Sequence, residues 1–133
     1  MHRDFARDYD SLTALYQFAE EILAASEIGE ATRFPVHLAL EELFTNMVKY
    51  SPDTGSDIGV DMVVEGGTVT VTLTEDDVDE FDVTRAREVD TDAPLAERTP
   101  GGLGLYLLQN IVDRLEYDYQ GRRSSVVFTK GSG

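Results

Sequence analysis

The stretch Asp57-Ile58-Gly59-Val60-Asp61-Met62-Val63-Val64-Glu65-Gly66-Gly67-Thr68-Val69-Thr70-Val71-Thr72-Leu73-Thr74 decides the fold class. Ile58, Val60, Met62 and Val64 alternate with Asp57, Gly59 and Asp61, and beyond the glycine pair Val69, Val71 and Leu73 alternate with threonines. A period of two is that of a strand with one buried and one polar face. Gly66-Gly67 supplies the positive backbone angles that a two-residue hairpin turn needs. The stretch therefore predicts an antiparallel hairpin that presents a single apolar face to a core.

Upstream, the period changes to that of helices. After an extended start over Phe5 to Tyr9, Asp10 or Ser11 caps a helix in which Leu12, Leu15, Phe18, Ala19, Ile22 and Leu23 recur every three or four residues, ending near Gly29. A second helix is expected from Thr32–Pro35 to Tyr50, with Val36, Leu40, Leu43 and Met47 on one face, and Ser51, Pro52 and Asp53 to stop it. Downstream, residues 75–100 carry ten carboxylates and no clear period, too long a run to be an idle connection. Gly101-Gly102-Leu103-Gly104 then opens a helix from about Leu105 to Val112, and strands over Arg114–Gln120 and Ser124–Lys130 are joined at Gly121. Segregated strands and helices in this order predict an α+β fold. It is a two-layer sandwich of a mainly antiparallel sheet with helices on one face, built as a single domain over residues 1–133 whose last three residues form a frayed tail.

Composition narrows the function. Of 133 residues, 41% are hydrophobic and only four are proline, so the chain can bury a core. Lys and Arg number 11 against 26 Asp and Glu, for a net charge of −15. Without a basic face to release counterions, direct binding to nucleic acid or to an anionic membrane is not expected. The lack of cysteine excludes disulfides, thiolate metal sites and a Cys nucleophile. No apolar run is long enough to span a membrane and no signal-like segment begins the chain, so the expected location is the cytoplasm.

Three groups of residues can carry chemistry. On the second helix Glu42, Asn46 and Lys49 fall within about 60° of one another at 100° per residue, a base, a neutral oxygen ligand and a cation in one line opposite Leu43 and Met47. At the end of the hairpin stands Glu75-Asp76-Asp77, where a fixed carboxylate can accept a hydrogen bond from an exocyclic amine and so select adenine over guanine. Asp77 and Asp79 do not make a calcium loop, which needs a further ligand and a glycine. The glycines at 101, 102 and 104 fit neither the Rossmann nor the P-loop pattern, yet glycines feeding a helix still offer backbone N–H donors to phosphate. His37, inside the second helix, reads as a structural residue.

Taken in order, Glu42-Leu43-Phe44-Thr45-Asn46-Met47-Val48-Lys49-Tyr50-Ser51, then Asp76 with Phe81-Asp82, then Gly101-Gly102-Leu103-Gly104-Leu105 resemble the N, G1 and G2 boxes of the GHKL (Bergerat-type) ATP-binding fold. The small single-domain form, with its Val112-Asp113-Arg114 ending and late Gly121 hairpin, resembles the anti-sigma-factor serine/threonine kinases. The resemblance implies ATP and Mg²⁺ as cofactors. Asn46 would coordinate Mg²⁺, Lys49 would face the phosphates, and Tyr50 and Phe81 would line the nucleotide. Asp76 would hold the adenine amine, Gly101, Gly102, Leu103, Gly104 and Leu105 would wrap the triphosphate, and residues 83–104 would form a lid. Glu42 would be the general base. It further implies a sigma factor and a STAS-domain anti-anti-sigma protein as partners, and a homodimer.

Two positions depart from the family pattern. Val78 stands where the G1 box has glycine, and Val83 where a proline usually follows Phe-Asp. A β-branched residue is badly suited to positive φ and crowds a ligand. Either the loop takes another path or nucleotide binding is weakened. The alternative reading is therefore a GHKL-like regulator that acts by binding alone.

Overall fold

The hairpin that the alternation predicts is present in the computed structural model, which describes residues 1–50, 56–80 and 108–131, the side chain of Tyr50 excepted. Strands β2 (Ile58–Glu65) and β3 (Thr68–Glu75) pair antiparallel from Ile58 opposite Glu75 to Glu65 opposite Thr68. Gly66 and Gly67, at φ +56° and +81°, make the turn. Ile58, Val60, Met62, Val69, Val71 and Leu73 are buried on one face, as the period requires.

Three more strands extend this pair. β1 (His2–Phe5) adds antiparallel to β2, while β4 (Arg114–Gln120) and β5 (Arg123–Gly131) form the second hairpin. The order is β1-β2-β3-β5-β4, with every neighbouring pair antiparallel. Because β5 lies between β3 and β4, those two strands run parallel, and parallel strands need a long crossover. The segment between Glu75 and Arg114 is therefore the connection that links the two hairpins. Of this crossover, residues 108–111 are helical, and Leu108 and Val112 join the core. Gly101 to Leu105, Phe81 and the expected lid at 83–104 lie outside the described residues.

Helices α1 (Ser11–Ala25) and α2 (Glu30–Tyr50) cover the apolar face. Phe5 of β1 sits edge-on to Phe18 of α1 and Phe44 of α2, with ring centroids 5.6 and 6.3 Å apart, which joins sheet and helices at one point. On the opposite face Gly59 admits the His2 ring between Asp4 and Asp61, at 2.9 and 3.0 Å. A Cβ on Gly59 would lie 2.8 Å from Thr74 Oγ1.

The helix ends differ from expectation. Asp8, not Asp10 or Ser11, supplies the capping oxygen of α1: its Oδ1 accepts from Ser11 N–H and Oγ at 2.9 Å each. The helix stops before Gly29, because Glu27 adopts φ +57° and Ile28 N–H bonds back to Leu23 O at 3.1 Å. This is a Schellman closure in which buried Ile28 supplies the apolar contact. Helix α2 begins earlier than expected, since Gly29 O already accepts from Thr32 and Arg33. Pro35 thus lies inside the helix, where it removes a single hydrogen bond. The first strand ends at Phe5, where the sequence reading had extended chain begin.

One buried cation ties these pieces together. Arg7, in the β1–α1 connection, donates from Nη1 to Met47 O of α2 and from Nε to Ser56 O, both at 3.0 Å. Its Nη1 also lies 2.9 Å from Glu75 Oε2, with the two side chains only 4% and 8% exposed. Burial raises the Glu75 carboxyl above its ordinary range and Arg7 pulls it partly back.

Removing one member of a buried pair leaves the other uncompensated, so Arg7→Ala should cost about 3–5 kcal/mol in urea unfolding. In that variant Glu75 keeps the burial that raises its pKa and loses the cation that lowered it. The folded state then binds the extra proton more readily than the unfolded chain, and the deficit should shrink as pH falls from about 8 to about 5. An equal deficit at both pH values would contradict this account.

Candidate nucleotide site

The polar line of α2 forms a gradient from core to solvent. Asn46 is 6% exposed, Glu42 one turn earlier is half-buried, and Lys49 is exposed. Helical spacing sets the three on one side, while Leu43, Phe44, Met47 and Val48 fill the core around them. Burial pushes the Glu42 carboxyl above its ordinary range, and the charge of Glu41 acts in the same direction. A carboxylate moved toward neutral pH is suited to general base work.

Asn46 Oδ1 is buried and has no hydrogen-bond partner among the described residues. Buried polar atoms are nearly always satisfied, so an orphaned amide oxygen marks either a cost to the fold or a place for a ligand. A hard cation that takes neutral and anionic oxygen ligands, keeping most of its waters, fits this donor. Asn46 is thus the residue that would hold Mg²⁺. Among the described residues no three acidic or histidine side chains group as a metal cage.

The end of β3 is the second half of the site. Glu75 points inward, in phase with Val69, Val71 and Leu73, and so is spent on Arg7. Asp76 is exposed just past the strand, with Arg123 Nε 3.6 Å from its Oδ1, and its carbonyl accepts from Ser56 Oγ at 2.8 Å. Arg7 joins the two halves, because it contacts Met47 and Glu75, the residues next to Asn46 and Asp76. Ser124 is buried opposite Glu75, and Ser125 lies beyond it on the other face of β5.

Val78 is held in the loop without positive φ. The positive φ of this loop falls on Asp77, at +58°, and Val78 is not left-handed. Its side chain is 2% exposed, its N–H donates to Arg122 O at 3.1 Å, and its carbonyl accepts from Tyr119 Oη at 2.7 Å. Val78 therefore does not have to adopt the positive φ for which a β-branched residue is badly suited.

Sequence reading missed Arg7 and Arg122. An inward carboxylate at position 75 could have signalled a cation partner from the period of β3 alone, but nothing local identified Arg7 as that partner. His37 does have the structural role expected of it: it stacks on Tyr16, with centroids 4.3 Å apart, and bonds to Glu20 at 2.6 Å. With Leu12, Phe34 and Leu38 these residues line a groove of about 620 Å³ between the helices, on residues distinct from the site. Among the described residues no helix is long and apolar enough to cross a membrane.

Comparison with known proteins agrees with this architecture. The model of the histidine kinase-like ATPase domain matches residues 5–130. No curated protein sequence gives a match. Among solved structures, the RsbU and RsbW domains of Rv1364c from Mycobacterium tuberculosis share the fold at a TM-score of 0.70 and 13% identity, over 98% of this chain and 32% of that one. The chain thus spans about a third of the length of that solved chain. The SiaB–SiaC complex from Pseudomonas aeruginosa gives 0.59 and 11%, over 98% and 88%, and the Acinetobacter baumannii histidine kinase AdeS gives 0.53 and 13%, over 98% and 67%. At such identities these are likenesses of fold.

Asn46→Ala tests the orphaned oxygen without presuming turnover. The nucleotide-free variant should melt no lower than wild type, gaining about 0.5 kcal/mol from helix propensity and from loss of an unsatisfied acceptor. In calorimetric titration with ATP, the increment in affinity that Mg²⁺ gives wild type should vanish. A variant that keeps this increment would show that Asn46 is not the ligand.

Proposed function

The chain belongs to the histidine kinase-like ATPase domain family, and on that premise we propose that it is an ATP- and Mg²⁺-dependent protein serine/threonine kinase that regulates transcription by partner switching. In this reading it sequesters a sigma factor and phosphorylates a STAS-type anti-anti-sigma protein. The observation that carries the reading is the pairing, one helical turn apart, of Glu42 with a raised pKa and Asn46 with a buried, unpartnered oxygen. A base beside a metal ligand is what transfer of a phosphoryl group to a hydroxyl requires.

The chemistry follows from those roles. Glu42, ionised, takes the proton of a partner's Ser or Thr hydroxyl as its oxygen attacks the γ-phosphorus. The bond from that phosphorus to the β-bridging oxygen breaks, and ADP leaves with the electron pair. Mg²⁺, when bound, supplies the positive charge that offsets the phosphates in so acidic a chain. Lys49 adds a mobile cation at the exposed end of the line, and Asp76 selects the base through its exocyclic amine. Residues 83–104 would close over the nucleotide. The choice of partners draws on the resemblance of the three motif boxes to the anti-sigma-factor kinases. The solved complex of SiaB with SiaC shows the same fold engaged with a second protein.

Calorimetry with ATP and GTP, with and without Mg²⁺, tests the site, and Glu42→Gln tests the chemistry. The variant should keep ATP affinity within a few-fold and lose at least ~100-fold in phosphoserine formation on the cognate antagonist. Wild-type kcat/KM should rise with pH through an inflection above the ordinary glutamate value, since Glu42 must be ionised to act and its pKa is raised. ATP binding with no phosphate transferred to any partner would leave a nucleotide-binding regulator in place of a kinase.

A further inference from the structure

The loop that carries Asp76 is gripped by a turn more than forty residues away. Between them, Arg122 and Tyr119 bind both sides of Val78: Val78 N–H donates to Arg122 O at 3.1 Å, and Tyr119 Oη donates to Val78 O at 2.7 Å. The Arg122 guanidinium then spans the residues flanking Val78, with Nε 3.0 Å from Asp77 Oδ1 and Nη1 3.1 Å from Asp79 Oδ1. Arg123 Nε faces Asp76 Oδ1 at 3.6 Å. Each residue from 76 to 79 is therefore held by the β4–β5 hairpin, through backbone, charge or both.

This grip is built at some cost. Arg122 sits at φ +64° beside Gly121 at +57°, and Asp77 at +58°. Left-handed backbone is disfavoured for a residue with a side chain, and glycine or asparagine would fill that turn position more easily. Arginine gives something neither could, a planar fork that bridges two carboxylates. The three carboxylates at 76, 77 and 79 would otherwise repel one another along a short loop, and Val78 supplies none of the backbone freedom of a glycine.

We propose that Arg122 is a positioning residue for nucleotide selection: by clamping Asp77, Val78 and Asp79 to the β4–β5 turn, it sets where the Asp76 carboxylate meets the adenine amine. The clamp takes the place of the glycine that the loop lacks. Arg122 touches no reacting atom and acts through Asp76. The inference rests on the proposed ATP site, and it places the control of base selectivity in a hairpin outside the three motif boxes.

The experiment is calorimetric titration of ATP and GTP, with Mg²⁺, into wild type, Arg122→Ala, Arg122→Lys, Tyr119→Phe and Arg114→Ala. Arg114 is an exposed cation on β4 paired with Glu116, so its removal makes the same change in net charge without touching the clamp. Arg122→Ala should weaken ATP about tenfold, the effect of one misplaced charge-assisted hydrogen bond, and lower the ATP-to-GTP preference by a similar factor. Arg122 is more than half exposed, so the melting temperature should stay within a few degrees. Lysine, which can meet one carboxylate but not bridge two, should recover part of the loss. Tyr119→Phe should shift selectivity in the same direction, and Arg114→Ala should match wild type in selectivity.

Amide exchange at Val78 in the nucleotide-free protein should quicken in Arg122→Ala and not in Arg114→Ala. Wild-type affinity and selectivity in Arg122→Ala and Tyr119→Phe would overturn the inference and leave the nucleotide site standing. Equal losses in Arg122→Ala and Arg114→Ala would overturn it as well, by reducing the effect to net charge. A wild type that binds no ATP would instead remove the reading on which the inference rests.

Discussion

The rest of the structure depends on Arg7 and the carboxylate it faces. A guanidinium 4% exposed must find acceptors for its donors or forfeit several kcal/mol of hydration, and it finds them in Met47 O, Ser56 O and Glu75. These groups come from the end of α2, the start of the chain leading into β2, and the end of β3. A buried ion pair is poor evidence of stability, since apolar residues of the same volume often serve as well. Its use here is positional. Met47 is next to Asn46 and Glu75 is next to Asp76, so one side chain ties together the two stretches that carry the candidate site residues.

The same geometry explains how neighbouring acidic residues come to do different work. Glu75 is the last residue of β3 and points inward with the period of the strand, while Asp76, just past its end, is exposed. The inward carboxylate faces Arg7, and the outward one is exposed near Arg123. Glu41 and Glu42 repeat the division on a helix, with Glu41 exposed and Glu42 half-buried and raised. In each pair burial decides the role, and burial is set by the period of the element.

How much of this could be read from sequence follows from how local each signal is. Both hairpins were legible because alternation and a turn glycine act over a few residues, and the Asn46 line was legible because helical spacing is rigid. The ends of the helices were not. Asp8 caps from outside the expected position, and Glu27 takes the left-handed role that glycine usually has, so a reading that relied on the commonest residue at each stop placed α1 too long. Arg7 and Arg122 act on residues far away in the chain, and a single sequence holds no record of such pairings. Val78 is the instructive case. As a departure from a pattern it stands out in the sequence, yet its contacts with Tyr119 and Arg122 of the β4–β5 hairpin were beyond the reach of any local rule.

Charge poses the remaining physical question, because a chain of net charge −15 must accept a polyanion. The total matters less than its distribution, since at physiological salt charges are screened over about 8 Å and distant carboxylates do not act on the phosphates. What matters is local, and locally the carboxylates are managed. Glu75 faces Arg7, Asp77 and Asp79 face Arg122, and Asp76 lies near Arg123. Glu42 has no such cation partner among the described residues to offset the burial, and the lesser push from Glu41, that raise its pKa. A base of that kind is reactive because its charge is not fully compensated. In the proposed reading, phosphates brought beside it would repel it further, so nucleotide and base would share the site with a cation between them, and the unpartnered oxygen of Asn46, one turn from Glu42, is where that cation would be held.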